Sequence, residues 1–162
     1  MSGIIVGVDG SEHSRRALVW AMREAVQHHV PLTVITVHPN PIRPATRVYW
    51  AEPDLPEAAS DLEYTRKKVQ DFVAEVAGEI GRPTPDVTVS VVTGDPAEEL
   101  ARASRDADML VLGSHHQGFA ALLAGSVGAK VMHHAGCPVV VVPGPQHALQ
   151  VRRGDQPIRP VT

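Results

Sequence analysis

At 162 residues, with 43% apolar and 20% charged side chains, the chain has the length of one domain and an ordinary soluble composition. A formal net charge of -3 leaves no electrostatic footprint for nucleic acid. No stretch approaches the roughly 20 apolar residues that span a bilayer, and Met1-Ser2-Gly3 runs into Ile-Ile-Val without the basic and apolar segments of a secretion signal. The single cysteine, Cys137, cannot form an intrachain disulfide, so a reducing cytoplasm is the expected setting. Beside the last apolar run that thiol reads as a small buried hydrophobe rather than a reactive group.

The residues from Gly3 to Val8 are too few for a helix and form a buried strand by their apolar run. Asp9-Gly10-Ser11 breaks it. Ser11 suits a helix N-cap, and Ala17, Leu18, Ala21, Met22 and Ala25 repeat at helical spacing up to Pro31. Leu32 to Val37 is a second buried strand. Residues 39 to 56 hold prolines at 39, 41, 44, 53 and 56 and form a long connection, in which Tyr49 and Trp50 either cover a ligand or anchor the loop. From Glu57 to Ile80 a helical stripe runs through Leu62, Val69, Phe72, Val73, Val76 and Ile80, stopped by Gly81 and Pro83.

Val87 to Val92 alternates as a third strand. Asp95 as N-cap, Pro96 at the first position and Glu98 in a capping box then predict a short helix to about Ser104. Asp108 to Leu112 is a fourth strand, Ser126 to His134 a helix stopped near Gly136, and Pro138 to Val142 a fifth strand. Residues 144 to 162 are expected to be a tail without an apolar period, so the domain is residues 1 to 143. Five short strands alternating with four helices predict an α/β fold, an open doubly wound five-stranded parallel sheet with helices on both faces. Ligands bind such sheets beyond the carboxyl ends of strands, where the strand order reverses. Asp9 follows strand one and Gly113 follows strand four. Glycines 113, 118 and 125 let backbone approach a ligand and take left-handed angles, and the helix start at Ser126 turns free N–H groups towards an anion. The loop from 113 to 127 thus reads as a phosphate cradle.

Taken together, Ile4-Ile5-Val6-Gly7-Val8-Asp9-Gly10-Ser11, Gly94-Asp95-Pro96-Ala97, Ala107-Asp108-Met109-Leu110-Val111-Leu112-Gly113-Ser114, Gly125-Ser126-Val127 and His134-Ala135-Gly136-Cys137-Pro138-Val139 resemble a universal stress protein of the single-domain type. The resemblance covers about residues 3 to 143. It implies an adenine nucleotide alpha hydrolase-like sandwich that dimerises through its last strand, here Val139, Val140, Val141 and Val142. It also implies one of two kinds of member, those that bind ATP or a related adenine nucleotide and those that do not. By the same resemblance Gly7, Val8 and Asp9 match positions near the nucleoside, Val37 the position beside adenine, and Gly113, Gly125, Ser126 and Val127 the phosphate positions, with Leu112 leading into the loop. Mg²⁺ is expected only with the nucleotide.

The loop departs from the binding pattern of Gly, two residues, Gly, nine residues, Gly, then Ser or Thr. Eleven residues separate Gly113 from Gly125 where that pattern has twelve, and His116 stands at the second glycine. Gly118 replaces that glycine after a one-residue deletion, or His115 and His116 donate to phosphate instead. Three readings stay open: an adenine-nucleotide-binding stress-response module acting in regulation, an interaction protein on the same fold without nucleotide, and a very slow ATPase. No catalytic constellation is visible, since Ser11, Ser114 and Ser126 lie in no nucleophile motif and no P-loop is present. The pairs His28-His29, His115-His116 and His133-His134 project about 100° apart on a helix and do not chelate together, so no metal site is expected.

Overall fold

Each short apolar run becomes a strand because its alternate side chains find a separate helix layer on each face of one sheet. The computed structural model describes residues 3–38, 62–114 and 127–144. Among them strand and helix alternate: β1 (Ile4–Gly7), α1 (Glu12–His28), β2 (Leu32–His38), α2 (Leu62–Ile80), β3 (Val87–Thr93), α3 (Pro96–Ser104), β4 (Met109–Gly113), α4 (Val127–His134) and β5 (Val139–Val142). The strands are parallel in the order β3-β2-β1-β4-β5. β1 is central, and the order reverses between it and β4.

Two apolar layers flank the sheet. Ile4, Val6 and Val8 of the first strand and its exit join Leu32, Val34 and Val111 against Leu18 and Met22 of α1 and Val69 and Val76 of α2. Ile5, Ile35, Leu110 and Leu112 face the other way, against Ala97 and Leu100 of α3 and Val131 of α4. Leu18, Met22, Leu32 and Leu110 are fully buried, each contributing about 1.5–3 kcal/mol relative to exposure.

The helix ends show where local chemistry holds. Ser11 caps α1 by accepting from the Ser14 N–H at 3.2 Å. Asp95 caps α3 by accepting from the Ala97 and Glu98 N–H groups at 3.0 and 3.1 Å, with Pro96 in the first turn. Glu98 is exposed, so the cap rests on Asp95. Gly81 closes α2 with φ 80°. Other details differ from the sequence reading. His29, left-handed at φ 56°, ends α1 before Pro31 is reached. Gly136 follows the end of α4 as its expected stop, and its N–H also donates to Ser104 Oγ at 2.8 Å, docking the end of α4 on α3. Leu62 is 42% exposed rather than part of the core stripe, because Thr65, one turn later, is the first buried residue of α2. Residues 57 to 61 of the expected helix and the tail beyond Gly144 lie outside the described residues. α1 and α2 are also joined by Arg15, which pairs with Glu75 at 3.2 Å and with Glu79 and lies 5.9 Å from the centre of the Phe72 ring.

Cys137 packs against the α3/α4 layer. Burial raises its thiol pKa; a backbone hydrogen bond at Leu110 opposes the shift and the charge of Asp108 adds to it. Less thiolate is therefore present at any pH near 8 than in an open cysteine. Iodoacetamide is expected to alkylate Cys137 several-fold more slowly in the folded protein than in urea, with its pH profile displaced upward. Equal rates in the two states, followed by intact mass, would contradict this.

Candidate functional site

The site begins where β1 and β4 end side by side, with Val6 opposite Val111. β1 closes at Gly7. A Cβ there meets Leu112 Cδ2 at 3.0 Å and the Leu100 methyls at 3.2 and 3.3 Å. This glycine makes room for two core leucines, and Leu112 is itself 7% exposed. Val8 is also spent on the fold. Its side chain is 5% exposed, its N–H donates to Ile35 O at 2.9 Å and its carbonyl accepts from Thr36 Oγ1 at 3.0 Å.

Asp9 comes next, and its carboxylate leaves the apolar core. Asp9 Oδ1 accepts from Ser11 N at 2.9 Å and from Ser11 Oγ at 2.5 Å. Gly10, at φ 83°, makes the turn between them with an angle that side chains rarely adopt. Ser11 Oγ in turn accepts from Ser14 N. The sequence Asp-Gly-Ser thus folds into a self-bonded corner that ends β1 and starts α1.

Gly113 departs from its sequence-based reading. Its backbone is not left-handed, and the space where a Cβ would sit is taken by the backbone of His13, at 2.3 Å from the oxygen and 2.5 Å from the carbonyl carbon. The glycine lets β4 run against the first turn of α1. Ser114, 5% exposed, follows and donates its N–H to Val142 O at 3.0 Å, tying the exit of β4 to β5. Val37 and Val127 are half-buried on the α3/α4 side, both against the same apolar layer. The structure therefore gathers Gly7, Asp9, Val37, Leu112, Gly113 and Val127 around the carboxyl ends of the central strands. His115, His116, Gly118, Gly125 and Ser126, with Tyr49 and Trp50, lie outside the described residues.

Three side chains near these ends were not singled out by sequence reasoning. Thr36 holds the Val8 carbonyl. His38 is 8% exposed at the end of β2, with Nδ1 3.4 Å from Thr65 Oγ1. Polar residues at alternate positions 36 and 38 of an otherwise apolar strand were the available signal. Arg16 lies between α1 and the exit of β5: its guanidinium is 2.9 Å from His13 Nδ1 and reaches Gly144, and its buried Nε has no hydrogen-bond partner among the described residues.

A parallel sheet reversing between β1 and β4, with a polar corner and a close-packed glycine at the reversal, defines an open doubly wound α/β protein, a class whose ligands bind at the switch point. The chain belongs to the universal stress protein family, which it matches over residues 1–143. It is 36% identical over 154 residues to a universal stress protein of Mycolicibacterium smegmatis, covering 90% of this chain and 49% of that protein. It is 32% identical over 162 residues to universal stress protein Rv2005c of Mycobacterium tuberculosis, covering 90% and 52%. The chain thus spans about half the length of the curated relatives it matches. Among solved structures, a universal stress protein family member from Burkholderia pseudomallei is similar at TM-score 0.61 and 26% identity over 88% of this chain and 97% of that one. Two others share the fold at 24% identity. One is a universal stress protein in complex with cAMP, at TM-score 0.59 over 87% and 95% of the two chains. The other is from Archaeoglobus fulgidus in complex with dAMP, at TM-score 0.51 over 86% and 95%. No helix among the described residues is long and apolar enough to cross a membrane.

Proposed function

We propose that this chain is an adenine-nucleotide-binding module of the stress response, regulatory rather than enzymatic, working in the cytoplasm as a homodimer paired through β5. The observation that carries the reading is the meeting of the Asp9 corner and the Gly113 exit at the switch point, in a fold whose relatives include complexes with cAMP and dAMP. The residues fit the ligand unevenly. Asp9 offers a carboxylate clear of the core for ribose hydroxyls, and Val37 a half-buried apolar edge for the adenine ring. Gly7 and Val8 are occupied by packing and by β2, so their part is to place Asp9. Phosphate is assigned, by the resemblance, to Gly125, Ser126 and Val127, which in sequence lead into α4 at Val127; a helix start favours an anion, with Mg²⁺ entering only alongside it.

Calorimetric titration with ATP, ADP, AMP and cAMP tests this. At least one nucleotide is expected to bind with a dissociation constant below 1 mM, which corresponds to about 4 kcal/mol of binding free energy. No heat from any of them at millimolar concentration would remove the reading. A second reading rests on the loop, one residue short with His116 at the second glycine position: an interaction protein without nucleotide. In that case His116→Gly with one inserted residue would create ATP binding absent from the parent. Slow hydrolysis is the least supported alternative, because no described side chain is placed to orient water against a phosphate.

A further inference from the structure

The sheet has two edges, and the chain treats them differently. In β3 the Asp86 carbonyl accepts from Leu32 N at 2.9 Å and the Gly94 N–H donates to His38 O at 3.1 Å. Both groups face β2, so the even-numbered residues between them face inward too. Because N–H and C=O of one strand residue point the same way, Val87, Val89, Val91 and Thr93 turn theirs away from β2, to an edge that no other described strand covers. One of these groups is taken. Arg66 reaches down from α2 and donates from its guanidinium to the Val89 carbonyl at 3.2 Å, while its Nε stays 3.8 Å from Glu63. A half-exposed cation thus lies across the middle of the β3 edge.

β5 has the opposite character. Leu110 N bonds to Pro138 O and Ser114 N to Val142 O, so Val139 and Val141 carry the outward groups. Among the described residues no side chain reaches them, and all four residues of the strand are valine.

An exposed edge is a template for another chain, and a charge across it blocks pairing. A protein that pairs with itself through one edge closes as a two-fold dimer. With a second competent edge, the same dimers would join end to end into open chains. We propose that Arg66 is an edge plug: by occupying the Val89 carbonyl it closes β3 to a second copy of this chain and confines self-association to β5. The confinement to β5 rests on the homodimer proposed above; the closing of β3 does not.

Light scattering after size exclusion, from micromolar to hundreds of micromolar protein, separates the two. Wild type is expected at a constant dimer mass. Arg66→Ala should reach at least twice that mass, rising with concentration, with an unchanged far-ultraviolet circular dichroism spectrum because alanine suits an exposed helix position. Arg66→Lys keeps a donor and a charge and should retain the wild-type mass. Adding Thr88→Lys, at an exposed β3 position, to Arg66→Ala should return the wild-type mass. An Arg66→Ala protein with the wild-type mass at every concentration overturns the plug, as does growth that Thr88→Lys leaves unchanged. A monomeric wild type removes the β5 dimer alone; the plug then still requires Arg66→Ala to associate.

Discussion

Gly113→Ala is expected to lower the stability of the fold by about 3 kcal/mol or more, at or beyond the upper end of what overpacking usually costs. Its added Cβ would lie 2.3 Å from the His13 carbonyl oxygen and 2.5 Å from the carbon, both backbone atoms in the first turn of a capped helix. A flexible side chain could swing away; this backbone can yield only by separating β4 from α1. In a chain of this size the loss corresponds to roughly 6–12 °C in the melting temperature. Equilibrium urea unfolding gives the value directly, and a difference below about 1 kcal/mol would show that the contact relaxes easily. Because the constraint comes from His13 and not from a ligand, the loss should be equal with and without nucleotide. A penalty that appears only in the presence of ATP would instead return Gly113 to the ligand.

Asp9 should separate binding from folding. Asp9→Ala removes the acceptor for Ser11 N and Ser11 Oγ and is expected to cost about 1.5–3 kcal/mol, the usual worth of hydrogen bonds to a charged group. Nucleotide affinity should fall by at least tenfold. Asp9→Asn keeps an oxygen for the Ser11 N–H and should recover most of the stability while leaving affinity low, since the charge available to the ribose is gone. Leu110→Ala provides the contrast. At a fully buried position it should cost about 2–5 kcal/mol and leave affinity unchanged below its melting transition. If Asp9→Asn binds nucleotide as tightly as wild type, Asp9 belongs to the corner alone.

Much of the fold was legible because its signals are local or periodic. Ser11 and Asp95 cap the helices that their spacing predicts. Ile4, Ile5 and Val6 alternate between two layers as a doubly covered strand must. Apart from Leu62, whose exposure the helical stripe did not show, the misreading concerns glycine, for which a sequence shows the freedom but not the reason. Gly113 looked like a residue needing an unusual angle, and Gly136 like a plain helix stop. Both admit another segment: the first turn of α1 at Gly113, and Arg105 at the end of α3 at Gly136. Gly7 likewise yields its space to Leu100 and Leu112, which lie far from it in the chain. Asp9 was legible as a candidate, but a turn and a ligand both call for a carboxylate there, and its bonds to Ser11 N and Ser11 Oγ come from the structure. Arg66 gave no signal at all: a charged residue on a helix surface reads as solvated until the strand beneath it is known.

The central position of β1 also bears on how the chain comes off the ribosome. Gly3 donates to Asp108 Oδ2 and accepts from the Asp108 N–H, both at 2.9 Å, across 105 positions of sequence. β2 can pair with β1 soon after both emerge, but the other side of β1 stays open until β4 is made. At ~5–20 residues per second this is on the order of 5–20 s of synthesis. During that time an apolar strand edge, Ile4-Ile5-Val6, stands without its neighbour in the nascent chain. Translation stalled before Met109 therefore leaves a half-sheet with an apolar strand edge exposed, the kind of edge that templates aggregation.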